Sequence, residues 1–183
     1  DICKIENFPT TFDLGYILGP RINAGGRVGK SSHGAELLTS NDPEQAYKIA
    51  VDLEKSNLER KSIEILLSDK IYLELDKFKD NSVYVLSGYD WHEGILGIIA
   101  ARIKDKYNKP TILISVKDKV GKGSARSIAG FDIGTHIIKA VQLGILKKGG
   151  GHKMAGGFSI SRDKISVLRN YLIESYNKLN IDK

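Results

Sequence analysis

The 183 residues hold one cysteine, Cys3, so no internal disulfide can form and nothing argues for an oxidising compartment. No stretch approaches the roughly 20 consecutive apolar residues that a membrane helix needs. The opening DICKIENFPT lacks the basic start and apolar run of a secretory leader. The expected location is therefore the cytoplasm, with no membrane partner. The first residue is Asp1 rather than Met, which points to an excised fragment.

Several chemistries are missing too. Divalent-metal hydrolysis needs clustered Asp, Glu or His ligands, whereas the carboxylates here are scattered over predicted helix surfaces. No metal is expected to bind this chain. There is no Ser-His-Asp spacing and no Gly-x-Ser-x-Gly elbow. AGGRVGKSS, residues 24 to 32, satisfies a relaxed phosphate-loop pattern. That motif works only when an apolar strand delivers the loop and a helix leaves it. Here LGPRIN precedes it, broken by Gly19 and Pro20, and no apolar run ending in Asp follows to serve magnesium. The match reads as accidental, and it is not an ATPase signature.

What is present suits a soluble α/β protein: 41% apolar and 27% charged residues, net charge +6 and pI about 9.2. Such an excess of cations favours a polyanionic partner, because cations that pair with phosphates release condensed counterions. Residues 1–40 read as Gly-rich and irregular. NDPEQ then announces a helix, with Asp42 as cap, Pro43 in the first turn and Gln45 completing a capping box. No Pro or Gly interrupts residues 44–79, so one helix of about 50 Å is expected, its polar middle EKSNLERKS crossing solvent between two bodies. The alternative is two antiparallel helices joined near Ser56-Asn57.

From residue 82 the pattern becomes α/β. VYVLS (83–87) and TILISV (111–116) read as parallel strands around a helix from Ile95 to Tyr107. KDKVGKG reads as a turn into a third strand, SARSI (124–128). Asp132 caps a helix over DIGTHIIKAVQ. GGGHKMAGG (149–157) interrupts, FSIS (158–161) forms a short strand, and 162–178 an amphipathic helix with Ile165, Leu168, Leu172 and Ile173 inward. The fold class is α/β: a small mixed-sheet domain with helices, behind a long helix and the tail of an incomplete N-terminal lobe.

Four motifs can carry chemistry. In GGGHKMAGG, Gly149, Gly150 and Gly151 permit positive φ and bare their amides, as an anion-binding nest would. His152 at its lip can donate to a phosphate oxygen or move a proton, and Lys153 adds charge. The plain alternative is a surface turn. In KGSARS, period-two alternation puts Ser124 and Arg126 on one face and Ala125 and Ser127 on the other. A hydroxyl beside a guanidinium suits phosphate, although an edge strand with solvated side chains would look the same. In GPRINAGGR, Arg21, Asn23 and Arg27 stand among Gly19, Gly25 and Gly26, in a loop too constrained for a tether. In YDWHEG, Trp91 reads as core and His92 as helix cap or site residue. His33 and His136 read as structural or surface residues.

GPRINAGGR, WHEGILGIIAARI, GSARSI and GGGHKMAGG, in this order and spacing, resemble the C-terminal half of the core of the RecJ family. These are single-strand-specific exonucleases of the DHH phosphoesterase superfamily, acting in DNA repair and recombination. The resemblance implies that residues 1–40 are the tail of a catalytic DHH domain, 41–81 a connector helix and 82–183 a DHH-associated nucleic-acid-binding domain. It implies a full-length enzyme that uses Mn2+ or Mg2+ to degrade strands from the 5′ end, with metal ligands upstream of this chain. Single-stranded DNA would be the substrate, and a single-strand-binding protein or helicase a possible partner. Arg126 with Ser124 and Ser127, and the nest of Gly149, Gly150, Gly151, His152 and Lys153, would face the cleft as phosphate contacts, His152 as the catalytic candidate. Arg21, Asn23 and Arg27 would approach from the other lobe. Gly25 stands where the family usually has Ala. Rival readings are an oligoribonuclease or cyclic-dinucleotide phosphodiesterase of the same superfamily, and a non-catalytic nucleic-acid-binding module.

Overall fold

The computed structural model describes residues 2–179, whose contacts fall into two units, one up to Ile65 and one from Leu66 onward. Asp42 starts the longest element: its Oδ1 accepts from the amides of Glu44 (2.9 Å) and Gln45 (3.3 Å). The helix that follows, α4, runs unbroken from Pro43 to Leu75, with a 3-10 turn over Asp76–Phe78. It is one helix and not an antiparallel pair. Its middle differs from a fully solvated stretch, because Asn57, Arg60 and Glu64 are buried. Arg60 donates through Nε and Nη2 to Asn57 Oδ1 (3.3 and 3.0 Å) and through Nη1 to Glu64. Polar residues at helical spacing can leave water when they pair with one another, although Asn57 Nδ2 has no hydrogen-bond partner among the described residues.

Residues 2–10 are irregular as expected, but helical turns follow: a π-type turn at Asp13–Leu18, then α1 (Gly19–Ile22), α2 (Gly25–Val28) and α3 (His33–Thr39). The elements leading into the segment at Ala24 are the π-type turn and α1. Gly25 and Gly34 are buried where a Cβ would meet Lys30 O at 2.6 Å and Ile22 O at 2.8 Å. The glycines thus serve close packing of the turns.

The second unit carries a five-stranded mixed sheet in the order β1-β2-β3-β5-β4. The strands are β1 (Tyr84–Tyr89), β2 (Thr111–Lys117), β3 (Val120–Arg126), β4 (Lys148–His152) and β5 (Ala155–Ser161). β1 and β2 are parallel and joined through α5 (Glu93–Tyr107), as the sequence predicts, and the other pairs are antiparallel. Two expectations change. VGKG belongs to β3, because the reversal needs only residues 117–120, with Asp118 at φ 53°. GGGHKMAGG is no interruption but a hairpin, β4 and β5 joined at Lys153-Met154.

Strand alternation divides the apolar residues between two layers. On one side α6 (Ile133–Gln142) and α7 (Ile165–Asn177) cover Ile112, Ile114, Ala125, Phe158 and Ile160. Asp132 caps α6 by accepting from the Thr135 amide at 3.1 Å. Ile165, Leu168 and Leu172 are the buried positions of α7, and Ile173 is partly buried. On the other side α5 packs on β2 and β3 through Ile95, Leu96, Ile99 and Ile103. No helix among the described residues is long and apolar enough to cross a membrane.

One contact fixes the β3–β5 register. Gly123 pairs with Phe158, and a Cβ on Gly123 would lie 2.1 Å from that ring. The ring occupies the space that a side chain would need. Gly123→Ala is therefore expected to cost about 1–3 kcal/mol through overpacking, lowering Tm by roughly 2–10 °C in a thermal melt. An unchanged Tm would show that the ring is not held there.

His136 stacks on Phe131 at 4.5 Å between centroids. Burial holds its pKa below 6.5, against the opposing pull of Asp132. A folded pKa below the unfolded one makes protonation favour unfolding. Stability is thus full above about pH 6.5 and is lost as pH falls through the folded pKa. Denaturant titrations of wild type and His136→Phe between pH 7.5 and 5 are expected to show a smaller acid-side loss in the variant.

Candidate nucleic-acid interface

The sheet register assembles the site. Arg126 pairs with Ala155 across β3–β5, and Ala155 with His152 across β5–β4. Directly opposed residues share a face, so Arg126 and His152 lie on the same side, two strands or about 9.5 Å apart. The next row is Ser124, Gly157 and Gly150, and the third is Lys122, Ser159 and Lys148. This is the α5 side of the sheet. α5 packs over β3 there, while Lys148, His152 and Gly157 on β4 and β5 remain exposed.

Each side chain is set by its neighbours. Arg126 donates through Nη1 to Ala125 O (2.8 Å) and Ser124 Oγ (3.3 Å). It lies across Gly97 of α5: a Cβ there would stand 2.6 Å from Arg126 Nη2 and 3.1 Å from Ser124 Oγ. His152 accepts from the Met154 amide at Nδ1 (3.3 Å), so the neutral ring carries its proton on Nε2, available to an acceptor. The hairpin turn is anchored on both sides. The Ile133 amide donates to Lys153 O (3.3 Å) and the Ser127 amide to Met154 O (2.9 Å). Gly134 lets α6 approach, since its Cβ would lie 2.9 Å from His152 O. Asp132 beside it is held below the usual carboxylate range, chiefly by the Thr135 amide, with the charge of Lys153 acting in the same direction.

The triple glycine does not form a nest. Such a concavity needs left-handed residues, whereas the positive-φ glycines among the described residues are Gly130 and Gly144. Gly149, Gly150 and Gly151 are extended and paired with Phe158, Gly157 and Gly156. Gly149 turns inward, where a Cβ would meet Ile137 and Phe158 at 2.8 Å, and a Cβ on Gly151 would lie 2.3 Å from Ala155 O. β4 is an edge strand, so the amides not paired with β5 point outward along it.

Ser127 lies outside the exposed surface: it is buried, and its hydroxyl donates to Phe131 O at 2.6 Å. Its place is to hold the turn that carries His152. Arg21, Asn23 and Arg27 belong to the first unit. All three guanidinium nitrogens of Arg21 are engaged, Nε and Nη2 by Glu54 and Nη1 by Ile17 O (2.8 Å), while Asn23 and Arg27 are exposed. His92 occupies the N-cap of α5 without a side-chain cap bond, and its buried Nδ1 has no hydrogen-bond partner among the described residues. Trp91 lies against Gly88, where a Cβ would be 2.1 Å from the indole. No three His, Cys, Asp or Glu side chains among the described residues are grouped to hold a metal ion.

Sequence reasoning missed Gly97, Lys122 and Lys148. Gly97 had a signal, since a glycine inside a helix costs about 1 kcal/mol relative to alanine and asks for a reason. The lysines had none until the register put them in one row.

A model of the DHHA1 domain matches residues 80–178. The single-stranded-DNA-specific exonuclease RecJ of Haemophilus influenzae is 40% identical over 169 residues, covering 87% of this chain and 29% of that protein. The RecJ of Bacillus subtilis is 31% identical over 164 residues, 88% of this chain and 21% of that one. The crystal structure of exonuclease RecJ bound to manganese superposes with TM-score 0.78 at 24% identity, covering 94% of this chain and 43% of its own. RecJ from Thermus thermophilus in complex with Mn2+ gives 0.79 at 25%, covering 91% and 24%. The chain spans less than a third of the length of these curated relatives.

Gly97→Ala would place a methyl group against the Arg126 guanidinium. The variant is expected to keep its Tm within about 4 °C, because the gain in helix propensity offsets local crowding. Its Arg126 Nε–H NMR signal should shift, and a short oligothymidylate should bind several-fold more weakly. Unchanged signal and affinity would contradict the placement.

Proposed function

The chain belongs to the DHHA1 domain family, and we propose that it is the substrate-gripping part of a single-stranded-DNA-specific 5′–3′ exonuclease, holding DNA phosphates on the open sheet face beside α5. The observation that carries this reading is the row Arg126, Ala155, His152, with a guanidinium and an imidazole N–H facing one side across a residue with no bulk. A guanidinium can grip two phosphate oxygens, and a neutral His152 adds a donor from Nε2. Lys153 and the outward amides of β4 add attraction that carries no base preference. A surface that reads phosphate and not base edges suits an enzyme that degrades strands of any sequence.

Ser127 and Gly149 support this surface from behind, and Gly151 keeps the hairpin closed. Arg21 acts as a clamp on α4, while Asn23 and Arg27 are exposed residues of the first unit. In the whole protein the hydrolytic metal, manganese or magnesium, would be held by residues outside this chain. The likeness to relatives named single-stranded-DNA-specific exonuclease, of whose length this chain covers less than a third, supports that division of labour. Repair and recombination are the settings in which such an activity serves.

Oligothymidylate titrations of the 183-residue chain at several salt concentrations test the proposal. Each cation meeting a phosphate contributes about 0.7 to the slope of log affinity against log salt on single strands. Arg126→Gln is expected to lower the slope by about that amount and to weaken binding about five-fold at 0.1 M salt. An unaltered slope and affinity would remove Arg126 from the interface.

A further inference from the structure

Two facts about the open face are left over by the Arg126–His152 row. The first is a pair of glycines that the fold does not require. Gly150 and Gly157 are paired with each other. A Cβ on Gly150 would meet nothing within 4 Å, and one on Gly157 would meet only Gly123 O, at 3.7 Å, an ordinary contact. Neither has positive φ. Glycine within a strand weakens it, and one without a steric or conformational reason marks a place where a ligand or another backbone comes close.

The second is the row beyond them. Lys122 and Lys148 flank Ser159 on the same face, both exposed. Neither has an ion-pair partner among the described residues. Two ammonium groups facing one side across a single strand repel each other unless an anion joins them. Four strand residues separate this row from the first, about 13 Å. That is the reach of about two nucleotides of fully stretched single strand, or four at the duplex rise of ~3.4 Å per nucleotide.

We infer that Lys122 and Lys148 form a second phosphate station on the sheet, and that Gly150 and Gly157 are the bare floor over which the intervening nucleotides lie. This station presupposes the pocket proposed for Arg126 and His152 and extends it along the strands. A single strand would run parallel to β3 and β4, anchored at both ends of the glycine floor. The sheet face would thereby measure a minimum length of substrate, since an oligonucleotide too short to reach both rows gains only one anchor.

Oligothymidylates of 2 to about 12 nucleotides, titrated against the full chain, test this directly. Wild type is expected to show a step in affinity once the oligomer spans both rows. Lys122→Gln combined with Lys148→Gln should abolish the step, lower the salt slope on the 12-mer by about 1.4, and weaken its binding roughly 25-fold at 0.1 M salt. Lys139→Gln combined with Lys178→Gln removes the same net charge from residues outside this face and should keep the step. Gly150→Ala and Gly157→Ala have room to fold, so their Tm should be unchanged or raised while 12-mer affinity falls several-fold. The inference is overturned if the lysine pair leaves the step and slope intact, if the control pair loses as much, or if the alanine variants bind like wild type. Arg126→Gln, run alongside, separates the two claims. If it weakens every length while the lysine pair weakens none, the second station alone fails. If Arg126→Gln itself has no effect at any length, the pocket fails first.

Discussion

The pairing of β3 with β5, and of β5 with β4, is the constraint on which the functional surface depends. Side chains along a strand alternate between faces, so a slip of one residue would send Arg126 into the apolar layer and Ala125 out of it. The sheet resists such a slip through Phe158, whose ring covers Gly123, and through the inward set Ala125, Phe158 and Ile160 beneath α6 and α7. Burial on one face thus fixes the chemistry of the other. The strand positions of the cationic groups are thus set by core packing on the far side, and Arg126 is further oriented by Ser124 Oγ and Ala125 O.

Glycine does several kinds of work here, and flexibility is the least of them. Gly123 makes room for a ring, Gly97 for a guanidinium and Gly134 for the backbone of His152. Each permits one element to approach another more closely than a Cβ would allow. The extended run from Gly149 to Gly151 removes side chains from an edge strand, which leaves a flat surface instead of a concave nest. In the proposed interface its use to an anion is therefore different. Outward amides along an edge, together with side chains from the neighbouring strands, replace a ring of convergent amides.

Much of this was legible in the sequence, and the reasons are local. Asp42 and Asp132 announced their helices because capping chemistry is short-range, and β1, α5 and β2 followed from apolar periodicity between turn residues. Alternation alone put Ser124 with Arg126 and opposed them to Ser127. The failures have a common origin in pairing between distant residues. GGGHKMAGG carries no hydrophobic alternation, because its alternate positions are glycines, so nothing in it spoke for a hairpin. VGKG looked like a turn for the same reason. The buried Asn57 and Arg60 were read within a solvated stretch because composition cannot tell polar groups that pair with one another from hydrated ones. Arg21 looked like a phosphate ligand until Glu54, 33 residues away, engaged it.

The central claim is that Arg126 and His152 act on one phosphate because the register sets them in one row. A double-mutant cycle on single-strand binding measures this most directly, using Arg126→Gln, His152→Ala and the combination against a fixed oligothymidylate. Two groups gripping the same phosphate are expected to be coupled by about 0.5–3 kcal/mol, so the combined loss falls short of the sum of the single losses. Additivity within about 0.3–0.5 kcal/mol would mean that the two residues act independently, and the shared pocket would have to be abandoned.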